Sequence, residues 1–321
     1  MLQVKDASFS YNKSFTLNGI SFKIKAGEHL SIIGESGSGK STLLKLLYGE
    51  HDLNSGEIYW KNEQILGPKF NLIAGYEFMK YVSQEFDLEP FISVEENIGN
   101  FLSNMYPKKK QQRINELLNV VELGPFSKIK VRYLSGGQKQ RVALARAIAK
   151  QPEVLLLDEP FSNIDNFKKQ SLRRSLFRHL KANNISCIVA THDKDDVLPY
   201  ADKMIVLHQG DVLAKDSPQN LYKHPKKALI AAFFGAYNVF KTSELINLNQ
   251  EDNDIIIYAN EITITRTSSL VARVFKSHYM GYYYLIEAVF NDRAIFINHT
   301  NFKNASELIR FSILEEIVQS R

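Results

Sequence analysis

The stretch Gly34-Glu35-Ser36-Gly37-Ser38-Gly39-Lys40-Ser41-Thr42 constrains this chain more than any other. It fits the phosphate-loop pattern G-x-x-x-x-G-K-[ST], and its flanks supply the context that gives the pattern meaning. Leu30, Ile32 and Ile33 lead in as a short buried strand. Leu43, Leu44, Leu46 and Leu47 lead out as a helix, which Gly49 stops in the C-cap role. Glycines let the backbone wrap closely around a polyphosphate, so that amide N–H groups and the helix N-terminus face the negative charge. In such a loop Lys40 reaches the β- and γ-phosphates and the hydroxyl of Ser41 binds Mg²⁺. The expectation is a nucleotide site.

The rest of the chain reads as an α/β fold built around that site. Residues 1–30 form strands and turns, with Phe9 and Tyr11 alternating with polar neighbours and turn chemistry at Asn18-Gly19 and Ala26-Gly27. Taken by itself, Tyr11 is an ordinary half-buried strand aromatic. Ser55-Gly56 and Gly67-Pro68 mark further turns around a strand at Ile58, Tyr59 and Trp60. Tyr81-Val82 is a short core strand with Gln84 just beyond its end. Pro107 opens a helix striped by Ile114, Leu117, Leu118 and Val121 and closed by Gly124-Pro125. Lys108, Lys109 and Lys110 in its first turn read as a solvated face, because no aromatic residues are interleaved among them.

Leu134-Ser135-Gly136-Gly137-Gln138 runs into a helix over residues 139–150, which makes a second anion-binding helix start. The continuous apolar run Val154, Leu155, Leu156, Leu157 reads as a central parallel strand covered on both faces. Asp158 and Glu159 at its C-terminal end then project into the crevice where parallel sheets bind ligands. The run from Ile185 to Ala190 repeats the pattern and ends in Thr191-His192. This alternation over residues 30–215 predicts a doubly wound parallel sheet. Beyond Gly235 the composition turns to Ile, Val, Tyr and Phe with little helical period, and Asn291-Asp292-Arg293 is hairpin chemistry. A separate small β-rich domain is expected there.

Composition sets outer limits. The 321 residues suffice for one large domain and a small one, and 40 basic against 35 acidic residues leave a mild +5. That charge permits a membrane surface or nucleic acid as partner and argues for neither. The lone Cys187 lies in an apolar run, so a buried thiol and a reducing compartment are expected. The N-terminus shows no basic-then-apolar signal pattern. No apolar run approaches the roughly 18 residues that span a bilayer, so another chain must cross any membrane at which this one works.

Together these pieces resemble the ATP-binding subunits of ABC transporters over nearly the whole chain. Gly34 to Thr42 looks like their Walker A loop, and Leu134 to Gln138 matches their signature sequence. Val154 to Glu159 looks like Walker B followed by the catalytic glutamate. Gln84 corresponds to the Q-loop glutamine, Ser162-Asn163-Ile164-Asp165 to the D-loop, and His192 to the switch histidine. Tyr11 falls where the family stacks an aromatic on adenine. Residues 233–240 and the β-rich tail are similar to bacterial importers for ferric ion, polyamines, sulfate or molybdate, whose tails form a small OB-like regulatory or dimerising unit. Two features depart from that pattern or sharpen it. The Arg-Pro-Glu motif of many such tails is absent, with Ala259-Asn260-Glu261 near its place, and residues 128–133 are basic where exporters carry an acidic loop.

The resemblance implies a P-loop NTPase (RecA-like) core with an antiparallel β subdomain and a helical subdomain. An ATPase domain over residues 1–235, its helical part at about 85–150, would be followed by an OB-like domain at 236–321. It implies hydrolysis of ATP with Mg²⁺ held by Ser41, Gln84 and Asp158. Glu159 is then the general base, His192 the contact to the γ-phosphate, and Ser135 to Gln138 a cap on the nucleotide of a second subunit, with Asp165 nearby. The implied partners are integral-membrane permease subunits, a second ATPase subunit and an external solute-binding protein, at the cytoplasmic face of the inner membrane, with no nucleic acid. Two other readings share these motifs: an exporter ATPase, and a soluble ABC protein acting on ribosomes or DNA.

Overall fold

The computed structural model describes residues 1–12, 15–245 and 252–321, which divide into two compact units, Met1–Pro218 and Gln219–Arg321. The first unit is built on a six-stranded sheet. Its spatial order is Asp211–Asp216, Lys203–His208, His29–Gly34, Ser186–Ala190, Val154–Asp158, Met79–Val82. Five of these strands are parallel, and the edge strand Asp211–Asp216 pairs antiparallel with its neighbour through the Gln209-Gly210 turn. The apolar runs are continuous because both faces of the sheet are covered. Leu155, Leu157, Cys187 and Val189 face one core with Ile114, Leu117, Val142 and Ile148 from the helices Pro107–Val120 and Gly136–Ile148. Leu156, Ile188 and Ala190 face the other, with Leu43, Leu44 and Leu47 of the helix Lys40–Tyr48. Cutting one of these buried leucines to alanine costs about 2–5 kcal/mol.

A second, antiparallel sheet carries Phe15–Ile24, Leu2–Asn12, Ser55–Trp60 and Glu63–Gln64. Here two turn expectations fail. Asn18-Gly19 lies inside the strand Phe15–Ile24, where the register against Leu2–Asn12 slips between Ala7↔Ile20 and Phe9↔Leu17. The positive φ of Gly19 serves a β-bulge, whose amide is taken by the hydroxyl of Ser8 at 2.9 Å. Ser55-Gly56 likewise begins the strand Ser55–Trp60 instead of preceding it. In both cases cross-strand pairing decides the outcome. The helix from Pro107 ends at Val120, and Gly124–Phe126 forms a separate 3₁₀ turn. The helix expected from residue 139 begins earlier, at Gly136.

The second unit holds a five-stranded antiparallel sheet ordered Ile262–Thr265, Leu308–Ile313, Leu270–Tyr279, Tyr284–Phe290, Arg293–His299. A ribbon of Tyr237–Lys241 and Asp254–Tyr258 joins the same core through Phe240 and Ile257. Buried Asn238 fastens ribbon to sheet, donating to Phe296 O at 2.9 Å and accepting from Phe296 N–H at 2.6 Å. Asn291 and Asp292 both have positive φ, as the two-residue hairpin turn requires. This β-rich unit is consistent with the expected OB-like tail.

The division between units falls after Pro218, earlier than the boundary after Gly235 read from composition. Aromatic packing is the reason. Tyr222 stacks on Tyr258 at 4.7 Å and meets the edge of Phe234 at 5.3 Å, so the segment before Gly235 packs within the second unit.

Candidate active site

Four parallel strands, His29–Gly34, Met79–Val82, Val154–Asp158 and Ser186–Ala190, point their C-terminal ends the same way. The residues that follow them therefore meet at one sheet edge. A cavity of about 630 Å³ opens there. It is lined by the loop residues Gly34, Glu35, Ser36, Gly37, Gly39, Lys40, Ser41 and Thr42 together with Tyr11, Gln84, Asp158, Glu159 and His192.

The loop turns into its helix at Gly39, whose φ of 106° lies in the region that suits glycine. Lys40 is buried, and its ammonium donates to the carbonyls of Gly34 at 2.9 Å and Glu35 at 3.0 Å. Burial pulls its pKa down, while the Glu159 and Asp158 carboxylates act in the opposite direction. Ser38 is not among the residues lining the cavity and is buried, with its hydroxyl unpartnered among the described residues. Tyr11 is exposed at the cavity rim. Phe9 meets it edge-on at 4.7 Å, and its hydroxyl lies 3.1 Å from Nε2 of His51, so the ring is braced from two sides.

Asp158 is buried, with Oδ2 accepting from the hydroxyl of Tyr81 at 3.3 Å. Burial and then the Asp158 charge push the Tyr81 phenol well above its usual pKa, so it remains a donor. Asp158 Oδ1 has no hydrogen-bond partner among the described residues. A buried carboxylate oxygen left unpaired is costly unless something occupies it. Ser41 and Gln84 line the same cavity, so hydroxyl, carboxylate and amide oxygens are available together. That donor set fits a hard divalent cation. No three His, Cys, Asp or Glu side chains among the described residues form an all-protein metal cage.

Glu159 adopts φ 51°, with its N–H donating to Ala190 O at 2.9 Å. Such a conformation in a non-glycine residue concentrates at functional sites. Its Oε1 lies 2.7 Å from Nδ1 of His192.

Ser135, Gly136, Gly137, Gln138 and Asp165 lie outside the cavity. Ser135 caps the helix Gly136–Ile148 in a reciprocal box with Gln138: Ser135 N–H donates to Gln138 Oε1 at 2.8 Å, and Gln138 N–H to Ser135 Oγ at 3.3 Å. Ser135 and Gly136 are exposed, so this helix start faces outward. Gly137 is pressed against the next loop, where a Cβ would come within 2.6 Å of Asn163 O. Asp165 is exposed at the N-cap of the helix Asn166–Ala182.

Residues 17–162 match the family model described as "ABC transporter". The Fe(3+) ions import ATP-binding protein FbpC of Haemophilus influenzae is 39% identical over 73% of this chain and 68% of its own length. This chain belongs to the ABC transporter family. The spermidine/putrescine import ATP-binding protein PotA of Mycoplasma capricolum is 29% identical over 94% of this chain and 91% of its own. A solved ATP-binding cassette, described as dimeric in a post-hydrolysis state bound to ADP and Pi, shares 28% identity. It superposes with a TM-score of 0.59 over 68% of this chain and 98% of that one. The family's cassettes hydrolyse ATP, and the relatives are ATP-binding subunits of import systems. Among the described residues of this ABC chain, no helix is long and apolar enough to cross a membrane.

Three residues around the cassette's cavity carried no site role in the sequence. His51 and Tyr81 had no motif to mark them. Gln140 sits only two places past the signature sequence, yet its partners are distant in the chain.

Proposed function

We propose that this chain is the ATP-hydrolysing subunit of a solute importer. It would work at the cytoplasmic face of the inner membrane with integral-membrane permease subunits, a second ATPase subunit and an external solute-binding protein. One observation carries the reading: Lys40, Gln84, Asp158, Glu159 and His192 converge on one cavity, while Ser135 to Gln138 lie outside it. The import relatives support the direction of transport.

In this reading Lys40 exchanges its two loop carbonyls for the β- and γ-phosphate oxygens of ATP. Ser41, Asp158 and Gln84 would hold Mg²⁺, which supplies charge neutralisation to the phosphates when bound. Glu159 takes a proton from the attacking water as its oxygen bonds to the γ-phosphorus and the bond to the β-phosphate oxygen breaks. His192, held beside Glu159, donates to the γ-phosphate and loses that contact on hydrolysis. Tyr11 stacks on adenine.

The outward helix start, with its free glycine amides and positive dipole end, caps the nucleotide of the second subunit. ATP closes the pair and hydrolysis opens it. A groove of about 250 Å³ just beyond Gln84, lined by Tyr81, Glu85, Phe86, Phe101, Arg146 and Lys150 among others, is suited to receive a permease segment. We assign nucleotide chemistry to the unit Met1–Pro218 and a regulatory or dimerising role to the unit Gln219–Arg321, with no nucleic acid partner.

Purification of the tagged chain from detergent-solubilised membranes tests the reading. Stoichiometric polytopic membrane proteins are expected to accompany it, and ATPase activity should rise with transported solute and binding protein. Recovery with ribosomal proteins or nucleic acid instead would overturn it.

A further inference from the structure

Gln140 is 1% exposed on the helix Gly136–Ile148, and both ends of its amide are used. Its Nε2 donates to the carbonyl of Glu159 at 3.0 Å, and its Oε1 accepts from the N–H of Asn163 at 3.2 Å. The same Glu159 carbonyl accepts from Ser162 twice, from N–H at 3.2 Å and from the hydroxyl at 3.0 Å. On its other side, Glu159 N–H is tied to Ala190 O at 2.9 Å. These bonds hold the residue at φ 51°, which a residue with a Cβ visits rarely unless its surroundings impose it. With the backbone so held, the carboxylate reaches His192 at 2.7 Å and lines the cavity. The start of the same helix is locked to the 163–164 loop, because Gly137 leaves no room for a Cβ against Asn163 O.

We propose that Gln140 is a positioning residue for hydrolysis. It fixes the backbone of Glu159 so that its carboxylate faces the attacking water, and it makes that orientation follow the signature helix. The inference rests on the reading of Glu159 as general base. Gln140 does not line the cavity, so its action on the reaction is through Glu159.

Two near-isosteric substitutions separate the hydrogen bond from packing. Gln140→Met removes donor and acceptor. Gln140→Glu keeps an acceptor for Asn163 N–H but sets a carboxylate oxygen against the Glu159 carbonyl. Each is placed in the wild-type and in the Glu159→Gln background, with ATP affinity measured by equilibrium binding and hydrolysis by steady-state and single-turnover assays. Both variants should lower kcat by about ten- to a hundredfold, the scale of a misplaced catalytic group, with KM and ATP affinity within about twofold of wild type. In the Glu159→Gln background neither should cause further loss. An equal fractional loss in that background would show that Gln140 acts independently of Glu159 and would overturn the proposal. So would ATP affinity falling in step with kcat, which marks a packing role, or full kcat in Gln140→Glu, which removes the donor from the argument. Full kcat in Glu159→Gln alone is a distinct result: it would remove the base assignment, and the positioning role with it.

Discussion

Glu159 Oε1 and His192 Nδ1 stand 2.7 Å apart across neighbouring parallel strands, one side chain 13% exposed and the other 72%. The carboxylate is therefore sheltered while the imidazole reaches into solvent. Glu159→Gln should keep ATP binding and lower kcat by about 10²–10⁴-fold, the contribution of a positioned base. His192→Ala should cost about 10²–10³-fold, as for one lost transition-state donor. Phosphate release under saturating ATP, with binding measured separately, checks both.

Lys40 and Tyr11 divide binding between phosphates and base. Lys40→Ala should abolish nucleotide binding, because its ammonium is the buried cation at the centre of the loop. Tyr11→Ala should raise KM for ATP and leave kcat nearly unchanged, since stacking is equal in ground and transition states. Titration with a fluorescent ATP analogue distinguishes them. Unchanged affinity in Tyr11→Ala would return that ring to a structural role beside Phe9 and His51.

The exposed cap at Ser135 predicts association that depends on nucleotide. Two subunits related by a twofold axis would each complete the other's site, an isologous arrangement. Glu159→Gln should elute as a dimer with ATP and as a smaller species without it. Adding Ser135→Arg should abolish that dimer and spare ATP binding, because a bulky cation would fill the partner's phosphate site. Persistence of the dimer in the double variant would exclude this helix start from the interface.

His29 predicts a pH-dependent stability. Burial chiefly, and the Lys181 charge, push its imidazole down to about 4, against the opposing influence of Asp202. The ring is 2% exposed and packs 5.7 Å from Phe177. With the folded pKa depressed, the unfolded chain takes up the proton first as pH falls. Its contribution is therefore complete above about pH 6.5 and is lost as pH falls through 4, amounting to about 3 kcal/mol in all. Urea midpoints from pH 7.5 to 4.5 should fall less steeply for His29→Phe than for wild type. Parallel curves would remove His29 as the source.

The two units predict where the chain tolerates shortening. A chain ending at Pro218 keeps every residue of the cavity and should bind ATP. One ending at Gly235 keeps Tyr222 without Tyr258, on which it stacks, and should be more prone to aggregate. Sizing chromatography and ATP binding of both lengths decide it.

Read alone, the sequence determined the phosphate loop, the buried strands at 154–157 and 185–190, and the order of motifs that marks an ABC cassette. These were legible because they are local. A glycine-rich turn, an apolar run covered on both faces and a capped helix each state their geometry within about ten residues. Tertiary structure alone decided which local signals prevailed and which distant residues met. Pairing with Leu2–Asn12 turned Asn18-Gly19 into a bulge, and stacking of Tyr222 on Tyr258 moved the division of the chain to Pro218. Strand order, with Ser186–Ala190 lying between His29–Gly34 and Val154–Asp158, brought His192 to Glu159. The tie from Gln140 to Glu159 joins residues 19 apart, and Tyr11 rests on His51 at a separation of 40. Such contacts arise from burial and hydrogen bonding between separate elements, which no window of sequence contains.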